Sequence, residues 1–208
     1  MALIILDMGS GNTCGNSVGY ALRMVDEVVR KDTRKHTIVF KMQLFQSQLP
    51  NVPLSGYVFD AVYRYVLSLG YDCTASVFDL PSLEFLLRYD VPFVKIACRP
   101  DLYYLIGHIP RGVGVVVSTP YYPYHEDLVY KEGVTKMVCV PSYPARLSDY
   151  PHHDGLFECL HISDHTVGLD LWHTFKPLMW EKHLRLSDST GPDAGPFAVT
   201  PEELEDIL

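Results

Sequence analysis

The sequence lacks paired cysteines, long apolar runs and an excess of basic residues, and each absence excludes a class of protein. Its five cysteines include no C-x-x-C pair, and such a dispersed, odd set is typical of reduced thiols in a cytoplasmic protein. No apolar run approaches the roughly 20 residues that a membrane-spanning helix needs. The net charge of −8 argues against nucleic acid as the main partner, because phosphate binding needs clustered lysine and arginine.

The sequence also has no glycine-rich dinucleotide fingerprint, and it alternates between short apolar runs and amphipathic segments. The run Val113–Val117 is apolar on both faces, as a parallel strand covered by helices must be. The predicted strands are Leu3–Met8, Thr37–Gln43, Thr74–Phe78, Phe93–Ala97, Gly114–Ser118, Lys136–Val140, Phe157–Ile162 and Met179–Leu184. The predicted helices are Val18–Arg30, Tyr57–Leu69, Pro81–Arg88, Leu102–Ile109 and Glu126–Lys131, with a loop over Tyr143–Gly155.

Eight alternations of strand and helix predict one domain over residues 1–208, of the α/β class: a compact (β/α)8 barrel, or TIM barrel. The length of 208 residues is close to the lower limit for such barrels, roughly 200 residues. The hydrophobic fraction of 48% is sufficient for a sizeable core. An open doubly wound sheet is the alternative, which the number of strands and the missing fingerprint disfavour.

Polar side chains stand at the carboxyl ends of the predicted strands, where barrel enzymes hold their catalytic groups. Lys41 and Lys95 lie within strands, where a buried ammonium group is costly unless it meets an anion or water. These lysines are predicted either to bind a phosphate or carboxylate of a ligand, or to form salt bridges inside the barrel with Asp7 or Glu181.

Two further clusters lie at the ends of the last two strands. Asp164 and His165 are interpreted either as a metal ligand and acid/base pair or as a capping, hydrogen-bonding pair. In the segment Glu181-Lys182-His183, the strand period of two places Glu181 and His183 on one face and Lys182 on the other.

Several short segments, in order along the chain, match those of one enzyme family. They are Lys41–Phe45, Ser76–Asp79 with Ser82–Leu86, Val91–Ala97, Ser118-Thr119, Ser142-Tyr143-Pro144, Ser163–Gly168, Glu181–Leu184, Gly191-Pro192-Asp193 and Thr200–Leu204. On these segments the chain resembles the N-acetylneuraminate (sialic acid) synthase family. It is similar to a compact, divergent member that lacks the family's C-terminal antifreeze-like domain.

The resemblance implies a cytoplasmic transferase of sialic acid biosynthesis. Such an enzyme joins phosphoenolpyruvate to a sugar aldehyde, an aldose or N-acyl amino sugar, and releases phosphate. It also implies a homodimer, small-molecule substrates, and neither nucleic-acid nor membrane partners. The predicted catalytic residues are Asp7, Asp164, His165 and Glu181, and the predicted substrate-binding residues are Lys41, Gln43, Lys95, Ser118, Tyr143, Lys182 and Asp193.

The resemblance further implies a divalent metal, manganese or magnesium, with His165 as one ligand. The family's second histidine ligand, on strand six, corresponds to Val138 here, and a valine cannot bind a metal. Three alternatives follow: His125, His161 or Cys139 completes the site; the reaction proceeds without metal on another acceptor; or the synthase chemistry is lost.

Other departures leave two non-synthase readings open. The segment after Lys95, a serine, a glycine and an acid in the family, is Cys98-Arg99-Pro100 here. One alternative, motivated by the missing metal ligand and the missing C-terminal domain, is a catalytically inactive or repurposed barrel that acts as a binding module. The other is a Schiff-base aldolase or lyase that uses Lys95 or Lys182, since burial can lower the pKa of a lysine.

Overall fold

The structure, a computed structural model, describes residues 1–47, 50–120, 133–150 and 160–208. Eight parallel strands, paired in chain order, close into a barrel, so the predicted TIM barrel is confirmed. The strands are β1 Leu3–Asp7, β2 Thr37–Leu44, β3 Asp72–Val77, β4 Val94–Ile96, β5 Val115–Thr119, β6 Val134–Cys139, β7 His161–Asp164 and β8 Met179–His183.

Helices follow most of the strands on the outside of the barrel. The α-helices are α1 Gly11–Cys14, α2 Val18–Val29, α3 Gly56–Ser68, α4 Leu80–Leu86 and α5 Asp170–Phe175; 3-10 helices span Pro100–His108, Leu147–Asp149 and Pro192–Ala194. None of the helices in these described ranges has the length and apolar character needed to cross a lipid bilayer.

Most predicted elements agree with the structure within a few residues, and the exceptions have physical reasons. The helix predicted at Leu102–Ile109 is a 3-10 helix, which begins at Pro100. Strand β7 runs on to Asp164, two residues past the predicted end, and the buried Asp164 carboxylate accepts a hydrogen bond from Trp180. The predicted helix Glu126–Lys131, and the first residues of the predicted strand Phe157–Ile162, lie outside the described residues.

The main hydrophobic core lies between the outer face of the strands and the helices. Ile4 and Leu6 of β1, Val25 and Val28 of α2, and Val62 of α3 are all fully buried in it. The helices α2 and α3 carry apolar residues at three- and four-residue spacings, which form one buried face on each helix. This packing holds the barrel closed and thereby fixes the ends of its strands.

The inside of the barrel contains two layers of side chains that differ in polarity. The lower layer is an apolar cluster of Ile5, Val39, Phe93, Val116 and Met137. Two residues further along the same segments, in the same order, stand Asp7, Lys41, Lys95, Ser118 and Cys139. Side chains alternate between the two faces of a strand. The residue two positions after each member of the apolar cluster therefore also points into the barrel, closer to the carboxyl ends of the strands.

We expect Phe59→Ala to lower the free energy of unfolding by about 3–5 kcal/mol, because it empties a fully buried site. The ring of Phe59 packs against Tyr63, Phe85 and Tyr89, with its centroid 5.0 Å from that of Tyr89. Urea denaturation measures the change. The control is Tyr57→Ala on the same helix, since Tyr57 is 75% exposed; equal losses for both variants would contradict the packing.

Candidate active site

A cavity of about 260 Å³ opens at the carboxyl ends of the strands. It contains most of the residues that the sequence predicted for the site: Asp7, Lys41, Gln43, Lys95, Ser118, Tyr143, His165, Glu181 and Asp193. Several further residues line it, to which no binding or catalytic role was assigned: Ser76, Cys98, Arg99, Ser163 and His183. Strand period alone would have found Ser76, Ser163 and His183, which share the inward face with Gln43, His165 and Glu181.

Two lysines and two carboxylates form an ion network across the barrel. Lys41 Nζ lies 2.7 Å from Asp7 Oδ2 and 2.9 Å from Glu181 Oε1, and Lys95 Nζ lies 3.1 Å from Glu181 Oε2. The lysine side chains are only 2% exposed. The salt bridges that the sequence predicted are therefore confirmed, and binding of a ligand's anion by the same lysines stays a prediction.

Hydroxyl, amide and backbone groups complete the network. The ammonium group of Lys41 donates a hydrogen bond to Ser76 Oγ, and that of Lys95 donates one to Ser118 Oγ, each over 2.7 Å. Gln43 Nε2 donates to Asp7 Oδ2 over 3.0 Å. These bonds fix the positions of both ammonium groups, which is what buried charges require.

Asp7, Lys41 and Glu181 of this network stay ionised at neutral pH. Burial alone would raise the pKa of Glu181, but the Lys41 and Lys95 ammonium groups outweigh it and hold that pKa well below its usual range. The pKa of Asp7 is lowered in the same way, against burial, chiefly by Lys41. Burial would lower the pKa of Lys41, but the two carboxylates raise it. An incoming anion therefore competes with Glu181 for the two lysines.

His165 enters the cavity as a neutral ring. Its Nδ1 lies 2.8 Å from the carbonyl oxygen of Val140, so we assign the proton to Nδ1, and Nε2 keeps its lone pair. Burial, aided by the nearby His183, lowers the pKa of His165 to about 3. The backbone amide of His165 donates to the hydroxyl of Tyr150, which in turn donates to the carbonyl of Ser163. These contacts hold the ring in place.

The described residues around His165 do not group into the metal site that the resemblance implies. Val138 faces outward, where it lines a small apolar pocket, because the inward positions of β6 belong to Met137 and Cys139. Cys139 Sγ lies 3.8 Å from Nδ1 of His165, not from the free Nε2. In the parts of the chain that the structure describes, no three histidine, cysteine, aspartate or glutamate side chains are grouped so as to hold a metal ion.

Of the other two residues proposed to complete the metal site, one lies away from the cavity and the other is not among the described residues. His161 lies at the start of β7, at the far end of that strand from the cavity, where its Nδ1 is 3.3 Å from the carbonyl oxygen of Lys136. His125 lies outside the described residues.

Asp164 and Lys182 are not brought into the cavity. They face outward from β7 and β8 and pair with each other, with Asp164 Oδ2 3.1 Å from Lys182 Nζ and both side chains fully buried. Thr166 and Trp180 donate further hydrogen bonds to the Asp164 carboxylate. The hydrogen-bonding interpretation of Asp164 therefore holds, and a catalytic Asp164 or a substrate-binding Lys182 finds no support in the geometry. The reason is parity, since each residue is one position away from an inward-facing neighbour.

His183 stands between two carboxylates at the mouth of the cavity. Its Nδ1 is buried without a hydrogen-bond partner, 3.8 Å from Asp7 Oδ2 and 3.7 Å from Asp193 Oδ1. Burial, with the Asp7 carboxylate, raises the pKa of Asp193, and His183 offsets this only in part. The carboxyl groups of Asp7 and Asp193 thus have pKa values shifted in opposite directions, which is a common arrangement for an acid and a base.

Aromatic rings surround the entrance. The Tyr143 ring centroid is 4.0 Å from that of His165 and 5.0 Å from that of Phe197, and Phe197 is also 5.0 Å from His183. Phe197 was not predicted for the site, because it lies in an irregular segment after the last strand, where no periodicity shows the direction of a side chain.

No family model and no curated protein sequence matches this chain, but solved structures do. The spore coat polysaccharide biosynthesis protein E of Chromobacterium violaceum is 17% identical with a TM-score of 0.77, over 99% of this chain and 72% of that one. The sialic acid synthetase of Leptospira borgpetersenii, in complex with citrate, is 22% identical with a TM-score of 0.73, over 98% of this chain and 80% of that one. A truncated 3-deoxy-D-arabino-heptulosonate 7-phosphate synthase of Thermotoga maritima is 10% identical with a TM-score of 0.65, over 100% of this chain and 83% of that one. The chain thus has a sialic-acid-synthase-like barrel fold.

We expect Asp164→Asn to lower the free energy of unfolding by about 3–5 kcal/mol, because it leaves the buried Lys182 ammonium without a counter-charge. Urea denaturation provides the measurement. Asp101→Asn is the control, since the exposed pair of Asp101 with Arg99 contributes under about 1 kcal/mol. If both variants lost the same small amount, the outward pair would not have the structural role described here.

The lowered pKa of His165 predicts that stability falls as the pH drops below about 6.5, the value for an unfolded histidine. Below that pH the unfolded chain binds a proton at His165 and the folded chain does not. The free energy of unfolding therefore falls by up to about 1.4 kcal/mol per pH unit. Urea titrations at pH 6 and pH 5 measure the slope. At these values Asp7 and Glu181, with their lowered pKa values, remain ionised in the folded chain.

His165→Gln should remove most of this slope, and His108→Gln is the control, because His108 is exposed at the end of the 3-10 helix Pro100–His108. The control variant should keep the slope. A slope unchanged by His165→Gln would show that the buried ring is not its source.

Proposed function

We propose that the protein is a phosphoenolpyruvate-dependent sugar-acid synthase, which condenses phosphoenolpyruvate with an aldose or N-acyl amino sugar and releases phosphate. The observation that carries the proposal is the pair of buried ammonium groups of Lys41 and Lys95, which meet at Glu181 inside the cavity. The fold adds support, because the structures that share it include a sialic acid synthetase and a heptulosonate phosphate synthase.

In the proposed reaction, carbon 3 of phosphoenolpyruvate attacks the aldehyde carbon of the sugar. Water adds at carbon 2, and the carbon–oxygen bond to phosphate breaks, so that one phosphate leaves for each new carbon–carbon bond. Lys41 and Lys95 hold the anionic groups of phosphoenolpyruvate in exchange for part of their contact with Glu181. Arg99, at the rim of the cavity, adds a further positive charge.

The aldehyde oxygen becomes an alkoxide and needs a proton. Asp193 suits this step, because its raised pKa favours the protonated carboxyl group and it lies beside His183 at the mouth of the cavity. Gln43 Nε2 donates hydrogen bonds to both Asp193 and Asp7, which holds the two carboxyl groups at a fixed separation. Among the described residues no three side chains group into a metal site, and no step of this scheme is assigned to a metal ion.

The cavity is matched to small reactants. Its volume of about 260 Å³ is just below the range of about 300–1,000 Å³ that is usual for drug-sized ligands. The ends of phosphoenolpyruvate and an aldehyde that react would fit among the charged groups. The rest of the sugar would then reach the ring of Tyr143, which lines the cavity and is more than half exposed.

Phosphate release from phosphoenolpyruvate, measured with a panel of aldoses and N-acyl amino sugars, tests the proposal. We expect release with at least one acceptor, and a loss of about 100-fold or more in Lys95→Met, which removes a buried positive charge from the site. Ser118→Ala, which removes only the hydroxyl that Lys95 contacts, should cost about tenfold. Lys35→Met is the matched control, because Lys35 is exposed on the surface.

Thermal unfolding of each variant separates a lost reaction from a lost fold. Absence of release with every acceptor, with and without manganese, would overturn the synthase proposal. So would full activity in a folded Lys95→Met variant.

A second candidate is a barrel that binds an anion without turning it over, because the described residues alone do not group three metal ligands around His165. Calorimetry with phosphoenolpyruvate distinguishes the two: heat of binding without phosphate release supports the binding module. The Schiff-base alternative is weaker, because Lys182 does not reach the cavity and Lys95 is ion-paired with Glu181. Trapping of pyruvate on the chain by borohydride would support it.

A further inference from the structure

Three residues that the proposed reaction uses, Asp7, Gln43 and Asp193, are connected to a single glycine. Gly9 follows β1 and is buried, and its backbone amide donates a hydrogen bond to Asp7 Oδ1 over 2.9 Å. Its carbonyl oxygen accepts a hydrogen bond from the backbone amide of Gln43, also over 2.9 Å. The side chain of Gln43 in turn donates to both Asp7 and Asp193. The backbone of Gly9 therefore fixes Asp7 and also the residue that joins Asp7 to Asp193.

Gly9 also lies against Asp193 itself, on the side where any other amino acid carries its side chain. A Cβ atom at position 9 would stand 2.9 Å from Cβ and 3.0 Å from Oδ2 of Asp193. Two carbon atoms that are not bonded normally stay about 3.5 Å or more apart. The Oγ1 atom of Thr13 would obstruct the same Cβ atom even more closely. Asp193 therefore reaches its place beside His183 because residue 9 has no side chain.

A second close approach joins the same two segments. A Cβ atom at Gly191, two residues before Asp193, would stand 2.6 Å from Asn12 Cβ. Both glycines have a positive φ, +73° at Gly9 and +88° at Gly191, which L side chains rarely adopt. The segment that carries Asp193 is thus packed at two points directly on the segment that follows β1.

We propose that Gly9 is a positioning residue of the synthase reaction, which lets the Asp193 carboxyl group enter the cavity and holds Asp7 and Gln43 beside it. The inference rests on the proposed function, in which Asp193 gives a proton to the alkoxide oxygen. Such a transfer needs hydrogen-bond reach, about 2.6–3.2 Å between the two oxygen atoms. A displacement of about 1 Å can cost about 100-fold in rate. A side chain at position 9 is expected to cause such a displacement.

The test compares Gly9→Ala with Gly15→Ala, each in a Thr13→Ala background. Thr13→Ala removes a buried hydroxyl that has no hydrogen-bond partner among the described residues. Asp193 is then the nearest obstacle to a side chain at position 9. Gly15 also has a positive φ, of +59°, but a Cβ atom there meets nothing within 4 Å. The control therefore reproduces the backbone strain without the contact.

We expect Gly9→Ala to lower kcat for phosphate release at least about tenfold relative to Gly15→Ala. The KM for phosphoenolpyruvate should stay within about threefold, because the two lysines keep their salt bridges to Glu181. Gly191→Ala shifts the same segment without altering residue 9, and it should lower kcat in the same way.

A double-mutant cycle tests the contact without any reaction. In the Thr13→Ala background, Gly9→Ala should raise the equilibrium constant of unfolding, measured in urea. The increase should be at least about threefold smaller when Asp193→Gly is also present, because the obstructing side chain is then gone. Ala194→Gly is the control, since it adds the same flexibility one position further on and leaves Asp193 in place.

An equal cost of Gly9→Ala with and without Asp193→Gly would overturn the proposal, whether or not the protein is active. A kcat of Gly9→Ala equal to that of Gly15→Ala would also overturn it. Coupling in the cycle together with no phosphate release by the unmodified protein would support the placement of Asp193 by Gly9 and overturn the proposed function alone.

Discussion

The sharing of one carboxylate by two buried lysines is the interaction on which the rest of the site depends. Glu181 on β8 accepts both ammonium groups, from β2 and β4, and Asp7 on β1 balances Lys41 a second time. Charges in such a place are tolerated only because each has a partner, and loss of one partner typically costs about 3–5 kcal/mol. The network therefore couples the stability of the barrel to the geometry of its cavity. A substitution that alters one charge is expected to affect both.

Alternation along the strands decides which polar residues reach that network. In β6, β7 and β8 a residue that faces the cavity is adjacent in sequence to one that faces outward and that the resemblance had also linked to the site. Cys139 faces inward and Val138 outward, and Glu181 faces inward and Lys182 outward. The outward pair of Asp164 and Lys182 is a second buried ion pair, which joins β7 to β8 behind the cavity. Lysine and carboxylate pairs thus occur both in the cavity and behind the strands, and whether a residue stands at an odd or even position of its strand decides which pair it joins.

The fold and most of the site could be predicted from sequence, because apolar runs and helical periodicity are local signals. The period of two placed Glu181 and His183 on one face correctly, and it would have removed Asp164 and Lys182 had it been applied to every strand. The contacts of Phe197 with Tyr143 and His183 could not be predicted. They depend on where irregular segments lie over the barrel mouth, which no repeating pattern in the chain specifies.

The pairing of both lysines with Glu181 has a consequence for which ligands the cavity would favour. Glu181 already pairs with both ammonium groups, so an acid group of the proposed ligand has to share or replace these contacts. A neutral molecule would gain nothing in exchange for the lost carboxylate, and a molecule with one negative charge would exchange like for like. If the lysines bind an anion as proposed, the chain's own glutamate is therefore expected to favour compact ligands with two or more acidic groups over neutral ones.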